Sequence, residues 1–203
     1  MKPLESVSRE SLARLETYHT LLLKWQAKIN LISPGTIPDA WDRHFVDSAQ
    51  LAQRLPSGGQ SLYDLGSGGG FPGMVLAIVR PDIEVHLVES DAKKCAFLQT
   101  VSRETGQKVF IHNARIEQVI TADIPAPDIV TARALASLPD LLSYCSPWIE
   151  QSSKTLYLFP KGAQSASEIS VSREKWTFEI EEFPSATDPQ AAILALSNVS
   201  KQP

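Results

Sequence analysis

The sequence predicts an α/β fold: a mostly parallel sheet covered on both faces, an antiparallel final strand, and N-terminal helices ahead of it. Three observations predict it. From Ser61 onward, short apolar runs alternate with helical stretches. One such run, Leu62 to Leu65, passes through Gly66-Ser67-Gly68-Gly69-Gly70-Phe71-Pro72-Gly73 into a hydrophobic stretch from Met74 to Val79. The last two strand-like runs have no clear helix between them. Alternation of this kind gives parallel strands with right-handed crossovers, whereas a direct connection reverses the strand.

The elements follow in order. Leu12, Leu15, Tyr18, Leu22, Trp25 and Ile29 recur at three- and four-residue steps, so they form one apolar face of a helix. Ser8 is its expected N-cap, and Glu10 is an acid in its first turn. Ser33-Pro34-Gly35 is expected to break it. Trp41, Phe45, Ala49, Ala52 and Leu55 mark a second helix, from near Asp39 to Pro56. These helices make an extension over residues 1–58, packed on a sheet domain over residues 59–203. Strands are expected at Ser61–Leu65, Glu84–Val88, Lys108–His112, Ile129–Ala132, Thr155–Phe159, Thr177–Phe183 and Ala192–Leu196. Helices are expected at Gly73–Val79, Asp91–Thr105, Ile116–Ile120, Leu138–Ile149 and Ala163–Ser172.

The glycine tract is a ligand loop. It follows a strand, and glycines there let a backbone approach a ligand closely. Two ligand classes compete for it. Gly68-x-Gly70-x-x-Gly73 satisfies the dinucleotide pattern, which is weak by itself. Pro72 removes one N–H that a pyrophosphate would use. S-adenosylmethionine has no phosphate and needs no such cradle. Asp64, an acid at the strand end, suits its positive charge. The methyl donor is therefore the favoured cofactor.

Composition bounds the class. The chain has 203 residues, enough for one domain with a sizeable core. Hydrophobic residues at 43% and charged residues at 21% are ordinary for a soluble globular protein. No apolar run approaches a membrane span, and the N-terminus lacks the pattern of a secretory signal. A cytoplasmic location is expected. Cys95 and Cys145 are the only cysteines, with no Cys/His cluster, so neither a metal site nor a disulfide framework is expected. Both fall in helical stretches as packing residues. The formal charge of −4 argues against a general polyanion binder, but a local basic surface is enough for nucleic acid.

Ligands of an open α/β sheet bind outside the carboxyl ends of its strands, where strand order reverses. Those ends carry Asp64 with the glycine loop, Glu89, Asn113 to Glu117, Thr131-Ala132-Arg133, and Phe159 to Gly162. Glu89 lies some twenty residues past the loop, the interval at which an acid grips a ribose. It also reads as a helix N-terminal acid. Arg115 and Arg133 facing one crevice make a patch suited to RNA phosphate, and Lys161 reads the same way. Lys24, Lys28, Arg43 and His44 are expected to form a cationic rim on the N-terminal helices. Phe71, Trp41 and Trp148 are candidates for stacking, with core packing expected of the tryptophans.

Six pieces of the chain carry a resemblance. They are Trp25-x-x-x-Ile29-Asn30-Leu31-Ile32, Arg43-His44-Phe45-x-Asp47-Ser48, Asp64 through Gly73, Val88-Glu89-Ser90-x-x-Lys93-Lys94-x-x-Phe97-Leu98, Asn113 through Glu117, and Thr131-Ala132-Arg133-Ala134. The chain resembles the RsmG (GidB) family of small-subunit (16S) ribosomal RNA methyltransferases. The N-terminal pieces are the specific part. The resemblance implies a Rossmann-like class I methyltransferase that methylates guanine N7 with S-adenosylmethionine. It implies that Gly66, Gly68 and Phe71 line the cofactor pocket and that Ile116 and Glu117 flank the adenine. Arg133 then reaches both cofactor and reaction crevice. Glu89 stands where the family more often has aspartate. The basic residue often found before the final strand is replaced around Pro189-Gln190.

The chemistry agrees with this inventory. Guanine N7 exposes a lone pair, so alignment supplies most of the catalysis and no base must act first. Arg115 and Arg133 are the expected catalytic residues, with Arg43, His44, Arg115 and Lys161 toward RNA. The partner is small-subunit RNA or its particle, and the chain is expected to act as a monomer. Two alternatives stay open: a non-catalytic RNA-binding assembly factor that keeps the cofactor pocket, and an NAD-dependent oxidoreductase. The second lacks a Tyr-x-x-x-Lys or His/Asp catalytic group. Amino-nitrogen methyltransferases carry an Asn-Pro-Pro-aromatic turn after the fourth strand, where this chain has Thr131-Ala132-Arg133-Ala134.

Overall fold

A computed structural model describes residues 4–5, 7–121 and 123–202. Helix α1, Arg9–Gln26, starts at Ser8, whose hydroxyl accepts from Ser11 N–H at 3.1 Å. It ends before Ser33-Pro34-Gly35 does any breaking. The Gln26 side chain folds back, accepting from Leu31 N–H at 2.8 Å and Ile32 N–H at 3.0 Å and donating to Ile32 O at 2.9 Å. One amide thus ties down the turn that follows, and Ile29 leaves the helix.

The second helix, α2, spans 41–54 but is irregular. A wide π stretch, Trp41–Val46, passes through one α turn, Asp47–Ala49, into a tight 3-10 end, Gln50–Arg54. Such wide stretches recur at functional sites, and this one carries Arg43 and His44.

The sheet domain follows in sequence. Its elements are β1 (Ser61–Leu65), α3 (Gly73–Val79), β2 (Glu84–Glu89), α4 (Ala92–Thr105), β3 (Phe110–Asn113) and α5 (Ile116–Val119). Then come β4 (Ile129–Thr131), α6 (Leu138–Tyr144), α7 (Ser146–Gln151), β5 (Leu156–Lys161) and α8 (Ser165–Ser172). The chain closes with β6 (Trp176–Pro184) and β7 (Ala192–Lys201). Helices α6 and α7 replace the single helix expected over Leu138–Ile149. Pro147 explains the break, because it has no N–H for the carbonyl one turn back.

The seven strands are ordered β3-β2-β1-β4-β5-β7-β6. All pairs are parallel except those of β7, which runs antiparallel to both β5 and β6. The mixed edge is as the missing helix implied. Order reverses between β1 and β4, so the ligand crevice belongs above their carboxyl ends.

Two apolar layers cover the sheet. On one face Leu15 and Leu22 of α1, Phe45 of α2 and Leu98 of α4 meet Leu87 of β2. On the other, Leu142 and Trp148 of α6 and α7 meet Val88 and Phe159. The N-terminal helices therefore share a core with the sheet. Both cysteines are buried, and the Cys95 thiol donates to Glu89 O at 3.2 Å. Among the described residues, no helix is long and apolar enough to cross a membrane.

Candidate active site

A crevice of about 600 Å³ opens at the switch point. Its floor is the glycine loop after β1, and its walls come from α2, the loops after β4 and β5, and the β6–β7 turn. Gly66 sits at φ +66°, and a Cβ there would lie 2.7 Å from Leu135 Cδ1. Gly68 lies open beside it, with Gly66 O at 3.8 Å as the nearest atom to a Cβ. A bare backbone floor of this kind admits the flat, elongated body of a nucleoside.

The loop is held from below. Gly73 N–H donates to Asp64 Oδ2 at 3.0 Å, and Ser67 Oγ donates to Asp64 O at 2.9 Å. Asp64 is fully buried, and its Oδ1 has no hydrogen-bond partner. Burial pushes its carboxyl up to about 7, against the Gly73 and Ser67 hydrogen bonds and the Arg133 charge. The residue expected to face the cofactor's charge is thus sealed beneath the loop it braces.

Glu89 grips the loop from the side. Its Oε2 accepts from Gly68 N–H at 2.9 Å and its Oε1 from Asp91 N–H at 2.8 Å. Each carboxylate oxygen can accept twice, so each keeps a further acceptor position, although Glu89 is buried and lies behind the crevice wall. Asp91 caps α4 through Lys93 N–H at 2.7 Å, so the helix-acid role belongs to Asp91.

The first helix reaches the loop from above. Tyr18 Oη donates to Gly69 O, and its ring stacks on Phe71 at 5.4 Å between centroids. Burial raises the Tyr18 phenol well above its ordinary range, so it remains a donor. Its place in the apolar stripe was legible, but the hydroxyl's partner was not. Phe71 is wrapped by Tyr18, Phe45 and His44, so little of it is free for stacking. Trp148 is core, and Trp41 stacks on Phe45.

Arg133 is the junction of the crevice. Its Nη1 donates to Arg43 O at 3.0 Å and to Asp47 Oδ2 at 3.1 Å. Its Nη2 lies 2.7 Å from His44 Nδ1, and its Cζ lies 5.1 Å from the centre of the Phe71 ring. An arginine only donates, so His44 Nδ1 is the acceptor. The proton then sits on Nε2, which faces Thr36 Oγ1 at 2.9 Å, and Thr36 passes its own proton to Ser33 O at 2.8 Å. Burial, Arg133 and Arg43 lower the His44 pKa to about 4. His44 is a neutral spacer with its lone pair occupied.

The other predicted residues divide. Arg43 lines the crevice with its side chain 49% exposed, 3.4 Å from Asp188. Lys161 also lines it, but its side chain is 8% exposed, and its ammonium sits 2.9 Å from Glu168 and donates to Ala136 O at 2.6 Å. The sequence assigned that charge to RNA, whereas the structure commits it to Glu168 of α8 and the loop after β4. Arg115 is exposed and lies off the crevice wall, as do Ile116 and Glu117, at the start of α5. Lys24 on α1 and Lys28 in the turn after it are exposed, away from the wall. Asp47, Gln50 and Thr187 are crevice residues given no role by sequence. The β6–β7 turn that holds Thr187 has no periodicity to betray it.

A glycine-floored crevice at the switch point of a seven-stranded sheet with β7 reversed defines a class I, S-adenosylmethionine-dependent methyltransferase. Solved structures share this fold. The O-methyltransferase TomG from Streptomyces achromogenes, in complex with S-adenosylmethionine, matches with a TM-score of 0.59 at 14% identity, covering 95% of this chain and 92% of that one. The ribosomal protein L11 methylase from Lactobacillus delbrueckii subsp. bulgaricus matches with a TM-score of 0.59 at 11% identity, covering 79% of each. The family model of rRNA small subunit methyltransferase G matches residues 11–193, and the chain belongs to that family. The ribosomal RNA small subunit methyltransferase G of Rhodospirillum centenum is 50% identical over 194 residues, covering 96% of this chain and 87% of the relative. That of Paramagnetospirillum magneticum is 49% identical over 196 residues, covering 96% and 92%.

Proposed function

We propose that this protein transfers a methyl group from S-adenosylmethionine to the N7 of a guanine in small-subunit ribosomal RNA, acting as a cytoplasmic monomer on the RNA or its particle. One observation carries the choice of nucleophile. Among the described residues, the imidazole and the carboxylates on the crevice wall are already engaged. His44 has its lone pair on Arg133, Asp47 and Glu168 sit in ion pairs, and Asp188 faces Arg43. A wall whose imidazole and carboxylates are all occupied suits an atom that attacks with a lone pair it already has, as guanine N7 does.

Bound S-adenosylmethionine supplies a methyl group on a sulfonium, open to in-line displacement. The chain's own residues position the partners, which is where such catalysis resides. Gly66 and Gly68 leave the floor bare, Phe71 backs it, and Glu89 accepts from ribose hydroxyls. Ile116 and Glu117, at the start of α5 and beyond the crevice wall, are given to the adenine on the family likeness alone. Arg133 keeps two of its five N–H donors after serving its three protein acceptors. On this reading those two serve the reacting groups. Arg43 and Arg115, both exposed, hold RNA phosphate.

Methyl transfer to small-subunit particles tests this reading. The expected product is N7-methylguanosine in the small-subunit RNA, seen as chain cleavage after borohydride and aniline treatment. A folded protein that binds S-adenosylmethionine but modifies neither particle nor RNA is the non-catalytic assembly factor instead.

A further inference from the structure

Asp47 touches two parts of the crevice that the chain keeps far apart. Its Oδ2 accepts from Arg133 on the loop after β4, at 3.1 Å. Its Oδ1 accepts from Thr187 Oγ1 in the β6–β7 turn at 2.6 Å and from Gln50 Nε2 at 2.9 Å. Gln50 completes the tie, accepting from Ala186 N–H at 2.8 Å and donating to Ser185 Oγ at 3.2 Å. The turn is therefore clamped to α2, and α2 to Arg133, through one carboxylate.

The clamp is sheltered. The Asp47 side chain is 17% exposed and that of Arg133 is 16%. Reduced solvent strengthens charge-assisted hydrogen bonds and makes their loss costly. The backbone beside Arg133 is also constrained, because Ala134 sits at φ +53° without being glycine. A non-glycine residue held there needs surroundings that over-determine it. The backbone at Arg133 is thus held, and the direction of the guanidinium, at the end of a flexible side chain, falls to its acceptors. Two of these, Arg43 O and His44 Nδ1, come from the irregular part of α2 itself. Asp47 alone joins the turn to the guanidinium through one side chain, since Arg43 accepts from Arg133 with its backbone and meets the turn only at Asp188, at 3.4 Å.

We propose that Asp47 is a positioning residue for methyl transfer: it aims Arg133, and its bond to Thr187 makes that aim depend on the β6–β7 turn. This rests on the reading of Arg133 as a group that faces the reaction. It assigns Thr187, which touches no other part of the Arg133 junction, an effect on turnover. Carboxylate chemistry explains the choice of residue. An aspartate accepts from Arg133 on one oxygen and from Thr187 and Gln50 on the other, whereas an asparagine must present a donor to one side.

The experiment compares Asp47→Asn, Thr187→Val and the double variant in steady-state methyl transfer to small-subunit particles. Calorimetric S-adenosylmethionine binding and thermal unfolding are measured alongside. Asp47→Asn is expected to lower kcat by about tenfold to a hundredfold, the range of a lost hydrogen bond to a charged group. KM for the particle should hold within about twofold, because the cations toward RNA are untouched. Thr187→Val should lower kcat by a smaller factor in the same sense. The double variant should fall no further than Asp47→Asn, since Thr187 acts through Asp47. Parental kcat in Thr187→Val, or multiplicative losses in the double variant, overturns the proposal. A loss of kcat matched by loss of folded protein at the assay temperature also overturns it, as the clamp is then only structural. The Nε–Hε resonance of Arg133 gives a readout without turnover. It should be sharp in the parent and broadened or shifted in both single variants. If the parent itself transfers no methyl group, the proposed function fails while this resonance still decides for or against the clamp.

Discussion

Tyr18 and Gly69 join the first helix to the glycine loop: the buried phenol donates to the loop carbonyl. The same ring stacks on Phe71, so one residue of α1 holds both the backbone and the aromatic wall of the crevice. An apolar-face residue thereby becomes part of the site's framework.

Tyr18→Phe keeps the ring and removes the donor. A buried carbonyl left unpaired costs about 1–3 kcal/mol. The variant should lose that much stability in urea unfolding and bind S-adenosylmethionine more weakly through a looser loop. Unchanged values for both would show that the bond contributes nothing to the loop.

Glu89→Gln changes one carboxylate oxygen to an amide. Both oxygens accept backbone N–H groups, from Gly68 and Asp91. A Gln must turn a donor toward one of them. Cofactor affinity should fall by about tenfold to a hundredfold, the scale of a charge-assisted bond. Calorimetry at fixed pH checks it, and parental affinity would leave Glu89 without a role in binding.

Gly73→Ala should loosen the loop from beneath. A Cβ there would meet Leu87 Cδ2 at 2.5 Å and Asp64 Oδ2 at 2.7 Å, and both atoms lie in the core of β1 and β2. Overpacking of this kind costs about 1–3 kcal/mol. Thermal unfolding should show a lower midpoint, and an unshifted one would mean the loop moves aside freely.

Stability should depend on pH through two groups with opposite signs. Asp64 is pushed up from 3.8 to about 7, so the folded state holds its proton longer than the unfolded state. Its contribution is present below about pH 4 and is lost as pH rises to about 7. His44 is lowered from 6.5 to about 4, so its contribution is present above about pH 6.5 and is lost as pH falls to about 4. Asp64→Asn removes the first dependence alone. The stability of the variant relative to the parent should rise from pH 4 to 7 and then level off. Urea midpoints across that range test this, and a constant difference would mean that Asp64 is ionised throughout.

Much of the fold was legible. The β1 and α3 boundaries, Ser61–Leu65 and Gly73–Val79, are those the apolar runs predict. The reversal of β7 followed from the missing crossover. Divergence came where side chains override periodicity, as when Gln26 ends α1 and Pro147 divides α6 from α7. Of the site, the residues at the ends of β1 and β4 were legible because a parallel sheet dictates where its ligands bind.

The sequence by itself determined the element order, the switch point and the kinds of charge set around it. These depend on local propensity and on periodicity, which neighbouring residues encode. Only the tertiary structure decided which of those charges are free. Lys161 pairs with Glu168, Asp64 is sealed under its own loop, and Arg133 meets Asp47 across 86 residues of chain. A charge's availability depends on what lies within hydrogen-bond reach in space, and that distance is set by packing between elements remote in sequence.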